Sequence, residues 1–421
     1  MKALAFLLLG WAALAAPGWA QTPAQPVDVL HWLTSASERR AANQLSTILA
    51  ANGVQWRDAA IPGGGGMAAV KVLKSRVLMG DAPDVAQLIG TTLTEWADVG
   101  LVLPLNAVAS RQRWAQTLFP TVMDLVSYNG MVIAAPLGIH RINTLLYNRR
   151  LFARVGLPPP TTWSELEAAV RKLSAQGIQP LAWSDEPWQV ATVFEAVLLS
   201  DAGPALYREL IVQRKSSAWL DPRVERALTR LRWLRSTNTV GGEPPREKPW
   251  TDSARELLDG KAAMLVMGDW AKGELIAWGA SPAKDFGCVV LPGTENSHLY
   301  SIDTLAMLAN GHHREATQEK VAELVFNAST QLAYNRIKGS VPVQRDIDVA
   351  SLDSCARDSW ASFADPRTAR VPSLAHRMAA DESIKDAVAQ TLWRYLTDPR
   401  MEPAEAQRRL AAVIRAPSNT P

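Results

Sequence analysis

Residues 27–33 read VDVLHWL, followed by Thr34, Ser35 and an amphipathic stretch to Ala50. The first segment alternates as a half-buried strand does, and the second changes to helical spacing behind a polar turn. Working outward, Val54 to Ala60 is again strand-like, Gly63 to Gly66 make a turn, and Met67 to Leu78 is helical up to Gly80. DVAQLI (84–89) then returns to strand character. A chain that opens strand, helix, strand, helix argues for an α/β fold with a parallel sheet flanked by helices. Ligands of such sheets gather at the carboxyl ends of the strands, where Trp32 and Gln87 stand.

A second region starts near residue 138. MVIAAP (131–136) and NTLLYN (143–148) are strands on either side of GIHRI, and Pro158 to Thr162 form a loop that caps a helix at Trp163. Helices are expected at about 188–201, 222–236 and 253–259, then a strand AAMLVM (262–267) and a helix opened by Asp269 as its cap. CVVLP (288–292) and SIDTLAML (301–308) are strand-like, and Arg314 to Tyr334 reads as one long helix. Residues 238–250, rich in Pro, Gly and charge, read as a surface loop. There is no internal repeat and no low-complexity tract.

At 421 residues and 45.9 kDa the chain exceeds what one hydrophobic core organises, so two lobes are expected. Lys+Arg 44 against Asp+Glu 41 leaves a net charge of only +3, too small for a nucleic-acid or membrane footprint. Lys2, an apolar run from Ala3 to Ala16, a Pro17-Gly18 breaker and Ala20 have the form of a cleavable secretory signal over residues 1–20, which places the mature chain in the periplasm. No cysteine stands directly behind the leader, and no other segment reads as a membrane span. In an oxidising compartment Cys288 and Cys355 can form one disulfide; two buried thiols are the alternative.

Several motifs fail on their chemistry. Gly63 to Gly66 lack the Lys and Ser/Thr that a phosphate loop needs, since Met67-Ala68-Ala69 follow. His312-His313 stand in a polar loop without metal-ligand spacing, and there is no GxSxG nucleophile elbow. No metal or other cofactor is expected. The unusual number is 16 Trp against 6 Tyr and 7 Phe, with polar residues beside the indoles at strand ends and turns. Trp32 with Glu38, Gln87, His140 with Arg141 and Asn143, Trp188 with Gln189, Asp269 with Trp270, Asp303, Lys338 and His376 form this set. A sugar presents apolar C–H faces that stack on indoles, and hydroxyls that need charged or amide partners in plane. This mixture suits it.

At these residues the chain resembles a family. HWLTSASE (31–38), PGGGGMAAVKVLKSRVLMGDAPDVAQL (62–88), SYNGMVIAAPLGIHRINTLLYN (127–148), GKAAMLVMGDWAKGE (260–274), IKGSVPV (337–343) and PSLAH (372–376) are similar to periplasmic glucose/mannose-type sugar-binding proteins of ABC importers, in the solute-binding family that includes maltose-binding protein. The resemblance runs from about 27 to 415. It implies a two-lobed, hinge-closing periplasmic-binding-protein fold with multiple crossovers, 21–137 plus 300–347 making one lobe and 138–299 plus 348–421 the other. It also implies a monomer that takes a monosaccharide, glucose or a similar sugar, on Trp32, Glu38, Gln87, His140, Trp188, Gln189, Trp270, Asp303, Lys338 and His376, and delivers it to an inner-membrane permease. Two positions depart from the pattern. Leu33 stands where relatives often carry a second Trp, and Ile302 where they carry Asn or Ser. The competing reading is a secreted carbohydrate-active enzyme with Glu38 and Asp303 as its carboxylate pair.

Overall fold

A computed structural model describes residues 26–63, 67–238 and 245–415. The expected leader (1–20), Gly64 to Gly66 of the glycine turn and residues 239–244 of the expected loop lie outside the described residues.

Val27–His31 pairs in parallel with Trp56–Ala60 on one side and with Val85–Leu88 on the other, as the opening alternation predicts. The sheet then turns mixed. Ser297–Met307 runs antiparallel to Val85–Leu88, and both Ala369–Pro372 and Ala135–Arg141 pair with it. A second sheet has the order Phe286–Val290, Thr144–Asn148, Ala262–Val266, Gln179–Leu181.

Helix boundaries follow local chemistry. Ser35 and Glu38 form a capping box at the start of Ala36–Ala51, and Thr162 and Glu165 do the same for Trp163–Ala175. The expected long helix from Arg314 to Tyr334 is instead two, Glu315–Phe326 and Ala328–Lys338. Asn327 takes an extended ψ of 134° and its side chain accepts from Ser329 N, so it caps the second helix. The segment Pro187–Val212 is, contrary to the sequence expectation, long and apolar enough to cross a membrane by length and composition. In the fold it is a core helix, with Val190, Phe194, Val197 and Leu198 buried.

Each sheet has its own apolar core. Val29, Leu45, Leu88, Ile139, Ile302 and Tyr334 belong to the first, and Leu145, Phe194, Leu198, Met264 and Tyr395 to the second. Among the described residues the chain changes core between Ile139 and Ile142, between Leu299 and Ile302, and between Phe363 and Val371, and Met378 alone dips back into the first core between Ala375 and Ala380. The change after Phe363 falls later than the expected boundary at 347. Helix Ser354–Ala364 packs on the first core, with the Phe363 ring edge-on to Phe119 at 5.1 Å. Cys355 on that helix is bonded to Cys288 on Phe286–Val290, Cα atoms 5.7 Å apart, so one disulfide joins elements of the two cores.

Candidate functional site

Between the cores lies a cavity of ≈ 90 Å³ lined by Trp32, Thr34, Glu38, Ile89, His140, Trp188, Trp250, Trp270, Ser301, Asp303, Lys338 and His376. The crossing strands supply its polar floor. Ser301 is opposite His140 in the ladder, and the register slips between Asp303 and Thr304, a bulge of the kind that re-aims side chains beside sites. Ser301 and Asp303 face the cavity, and Ile302, one residue from each, is wholly buried in the first core. The departure at Ile302 therefore removes no cavity contact. Leu33 is likewise a core residue and leaves Trp32 as the sole indole of that turn.

Two charge chains meet on this floor. His140 Nδ1 donates to Asp269 Oδ1 (2.5 Å) and Nε2 lies 3.3 Å from Asp303 Oδ2. Burial and the Lys338 charge oppose protonation of His140, but the two carboxylates raise it above the ordinary imidazole value. Burial would raise Asp303, yet the His140 hydrogen bond and the charges of His140 and Lys338 hold its carboxyl below the usual range. Lys338, the last residue of Ala328–Lys338, puts Nζ 3.3 Å from Glu38 Oε1. Burial would lower its ammonium, and the charges of Glu38 and Asp303 more than offset that. Glu38 Oε2 is already engaged by Thr34 N and Ser35 N, both at 3.1 Å. Fixed donors and acceptors of this kind match the in-plane hydroxyls of a polyol.

The second lobe contributes the aromatic wall. The Trp270 ring centroid is 4.9 Å from His376, 5.4 Å from His140 and 6.5 Å from Trp188. Its indole folds back over Gly268, where a Cβ would come within 2.1 Å of the ring. Asp269 does not cap the helix Trp270–Ala277 as expected from sequence. Its backbone is αR, its side chain makes no capping bond, and its carboxylate turns to His140 and to Arg141 N (3.0 Å). The imidazolium and that amide hold the carboxylate away from the helix. His376 is held by Ser373, whose Oγ donates to Glu195 Oε1 (2.6 Å) and lies 2.9 Å from His376 Nδ1. Nδ1 therefore donates, and Nε2, without a protein partner, is left an acceptor. Burial keeps this histidine below the ordinary imidazole value and so neutral, despite the hydrogen bond and charge of Glu195.

Of the ten residues expected in the site, Trp32, Glu38, His140, Trp188, Trp270, Asp303, Lys338 and His376 line the cavity. Gln87 stands behind it, accepting from Trp32 N at 3.3 Å. Its Nε2 is near enough to Asp303 to help hold that carboxylate ionised, but makes no hydrogen bond of ordinary geometry. Gln189 is turned away, donating to Glu186 Oε2 (2.5 Å) and Lys248 O (3.0 Å). Consecutive helical residues point about 100° apart, so Trp188 and Gln189 cannot both face the cleft. Arg141 and Asn143 bind Ser297 O (3.2 and 3.1 Å) and tie the crossing strands together. Thr34, Ile89, Trp250 and Ser301 escape the sequence reading. Trp250 alone carried a signal, as a Trp behind Pro249 at the start of Trp250–Leu258, in a stretch read as surface loop.

Residues 41–331 match the family described as bacterial extracellular solute-binding protein. A probable sugar-binding periplasmic protein of Brucella suis biovar 1 (strain 1330) is 32% identical over 394 residues, covering 93% of this chain and 92% of that one. A probable sugar-binding periplasmic protein of Rhizobium meliloti (strain 1021) is 32% identical over 409 residues, 96% and 97% of the two chains. Among solved structures, the bacterial solute receptor AcbH, described with a preference for β-D-galactopyranose, superposes with a TM-score of 0.77 at 18% identity, covering 92% of this chain and 97% of that one. Maltose-bound MalE3 of T. maritima superposes with a TM-score of 0.72 at 18% identity, covering 92% and 98%. At such identity the structural likeness carries the fold alone, the two-lobed α/β architecture of periplasmic binding proteins. With the family match and the near full-length relatives beside it, the chain belongs to the bacterial extracellular solute-binding protein family.

Proposed function

We propose that this protein is the periplasmic receptor of an ABC importer, and that it captures a single pyranose, glucose or a close relative, between its lobes. The observation that carries the reading is the cavity itself, where Trp32, Trp188, Trp250 and Trp270 surround a floor of Glu38, His140, Asp303 and Lys338. At ≈ 90 Å³ the cavity is small, which favours one sugar ring over an oligosaccharide. The relatives named as sugar-binding periplasmic proteins support the ligand class and the compartment. Closure follows from affinity: a ligand clasped from two sides binds the closed form more tightly and so populates it. The protein acts as a monomer that presents its closed form to an inner-membrane permease.

The chemistry disfavours a glycoside hydrolase using Glu38 and Asp303. That mechanism needs one carboxylic acid kept protonated, whereas His140 and Lys338 hold Asp303 ionised, and both Glu38 oxygens are engaged. Isothermal titration against a monosaccharide panel, with product analysis of the same samples, tests the reading. Binding of one sugar at unit stoichiometry without turnover is the expected result. Binding only of oligosaccharides, or released product, would refute it.

A further inference from the structure

We propose that Glu274 is a latch between the lobes, whose carboxylate closes onto the first turn of the helix Ala36–Ala51 and sets how long the closed form lasts. This rests on the reading that the lobes close on a sugar. The first turn of that helix has orphan donors. Ser35 Oγ takes Glu38 N, and Glu38 Oε2 takes Thr34 N and Ser35 N, which leaves Ala36 N and Ser37 N without a local acceptor. Both find Glu274. Ala36 N donates to Oε1 at 3.1 Å, Ser37 N to Oε2 at 2.9 Å and Ser37 Oγ to Oε2 at 2.7 Å.

The partners belong to different lobes. Helix Ala36–Ala51 packs Ala41, Leu45 and Leu49 into the first core, and helix Trp270–Ala277 packs Ala271 and Leu275 into the second. Glu274 is only 1% exposed, so its charge is tolerated by the helix N-terminus and three charge-assisted hydrogen bonds. The same short helix makes further contacts across the seam. Trp270 walls the cleft, Gly273 is so close to Lys338 that a Cβ would meet its carbonyl oxygen at 2.4 Å, and Lys272 Nζ reaches Asp353 Oδ2 at 2.8 Å. When the lobes part, the two amides and the carboxylate return to water. The latch therefore favours only the closed form, the differential contact a conformational equilibrium requires. Its loss should fall mainly on dissociation.

Two measurements test it. A Ser37→Cys/Glu274→Cys pair is oxidised in the absence of sugar, and the linked form is compared by X-ray scattering with the sugar-free parent protein, in which Cys288–Cys355 is likewise intact. Linkage with a smaller radius of gyration than the parent is expected. Failure to link, or equal radii, would overturn the latch, because the contact would then be absent in solution or a permanent seam. Separately, stopped-flow fluorescence measures dissociation of the sugar found by calorimetry. Glu274→Ala should dissociate about ten-fold faster or more with little change in association, and Glu274→Gln, which keeps one acceptor and the same shape, by less. Equal dissociation rates would overturn it, and Glu274→Gln decides alone where the alanine variant does not fold. A parent protein that binds no sugar would refute the sugar reading, and the crosslinked pair would still decide the latch.

Discussion

Replacing Gly268 with alanine should displace the Trp270 indole without removing it. Gly268 has no positive φ, so the backbone accepts a side chain, but the new Cβ would sit 2.1, 2.3 and 2.6 Å from Cζ3, Cη2 and Cε3 of Trp270. The ring must move by about 1 Å or more to restore ordinary contact, away from the position set by His376, His140 and Trp188. Stacking of a nucleobase on an aromatic side chain is worth about 1–3 kcal/mol, and the same range is expected for a sugar face on the indole. Most of that depends on registry, so Gly268→Ala should weaken sugar binding by roughly 5- to 150-fold. Overpacking should also cost about 1–3 kcal/mol of unliganded stability. The decisive assay is a double-mutant cycle read by calorimetry and by unliganded melting. Trp270→Ala should lose a similar share of affinity, and Gly268→Ala added to it should change little, because the clash has gone. Affinity losses that simply add, or a Gly268→Ala protein with parental affinity, would refute the placement of Trp270 against the sugar.

Further expectations are independent of that ring. Asp303→Asn replaces a charged acceptor of the cavity floor by a neutral amide, so sugar affinity should fall by about 1–3 kcal/mol; calorimetry returning the parental value would remove Asp303 from the binding floor. Breaking Cys288–Cys355, which spans 67 residues, should cost up to about 4 kcal/mol of stability, and an identical melting curve in reductant would contradict this. His298 is fully buried, and burial together with the Arg141 and Arg370 charges holds its imidazole well below the ordinary 6.5. The unfolded chain takes a proton near pH 6.5 that the folded chain refuses, so this group's contribution is present above that pH and is lost as pH falls below it. His298→Leu should flatten the decline in melting temperature from pH 7 to 5, and parallel declines would sink the assignment.

The elements of this fold were legible where local signals agree. The Ser35/Glu38 and Thr162/Glu165 capping boxes mark their helices, and the alternation in VDVLHWL marks a strand. They failed where one residue reversed the local trend, as at Asn327, whose extended ψ breaks a continuous helical pattern. Composition also pointed to the chemistry proposed for the site, since indoles beside carboxylates and cationic side chains suit a sugar.

Which of those residues meet was decided in three dimensions. Trp32, His140, Trp270, Asp303 and His376 are spread over most of the chain and converge because the chain passes repeatedly between the two cores. Spacing along a sequence carries no record of such long-range returns. Gln189 looks equivalent to Trp188 on the page, yet one step of helical rotation carries it to Glu186 and Lys248. Asp269 had a legible local role as a cap and gave it up for His140, which is 129 residues away. A buried carboxylate gains more from an imidazolium than from a helix amide, and only the tertiary structure brings that imidazolium within reach.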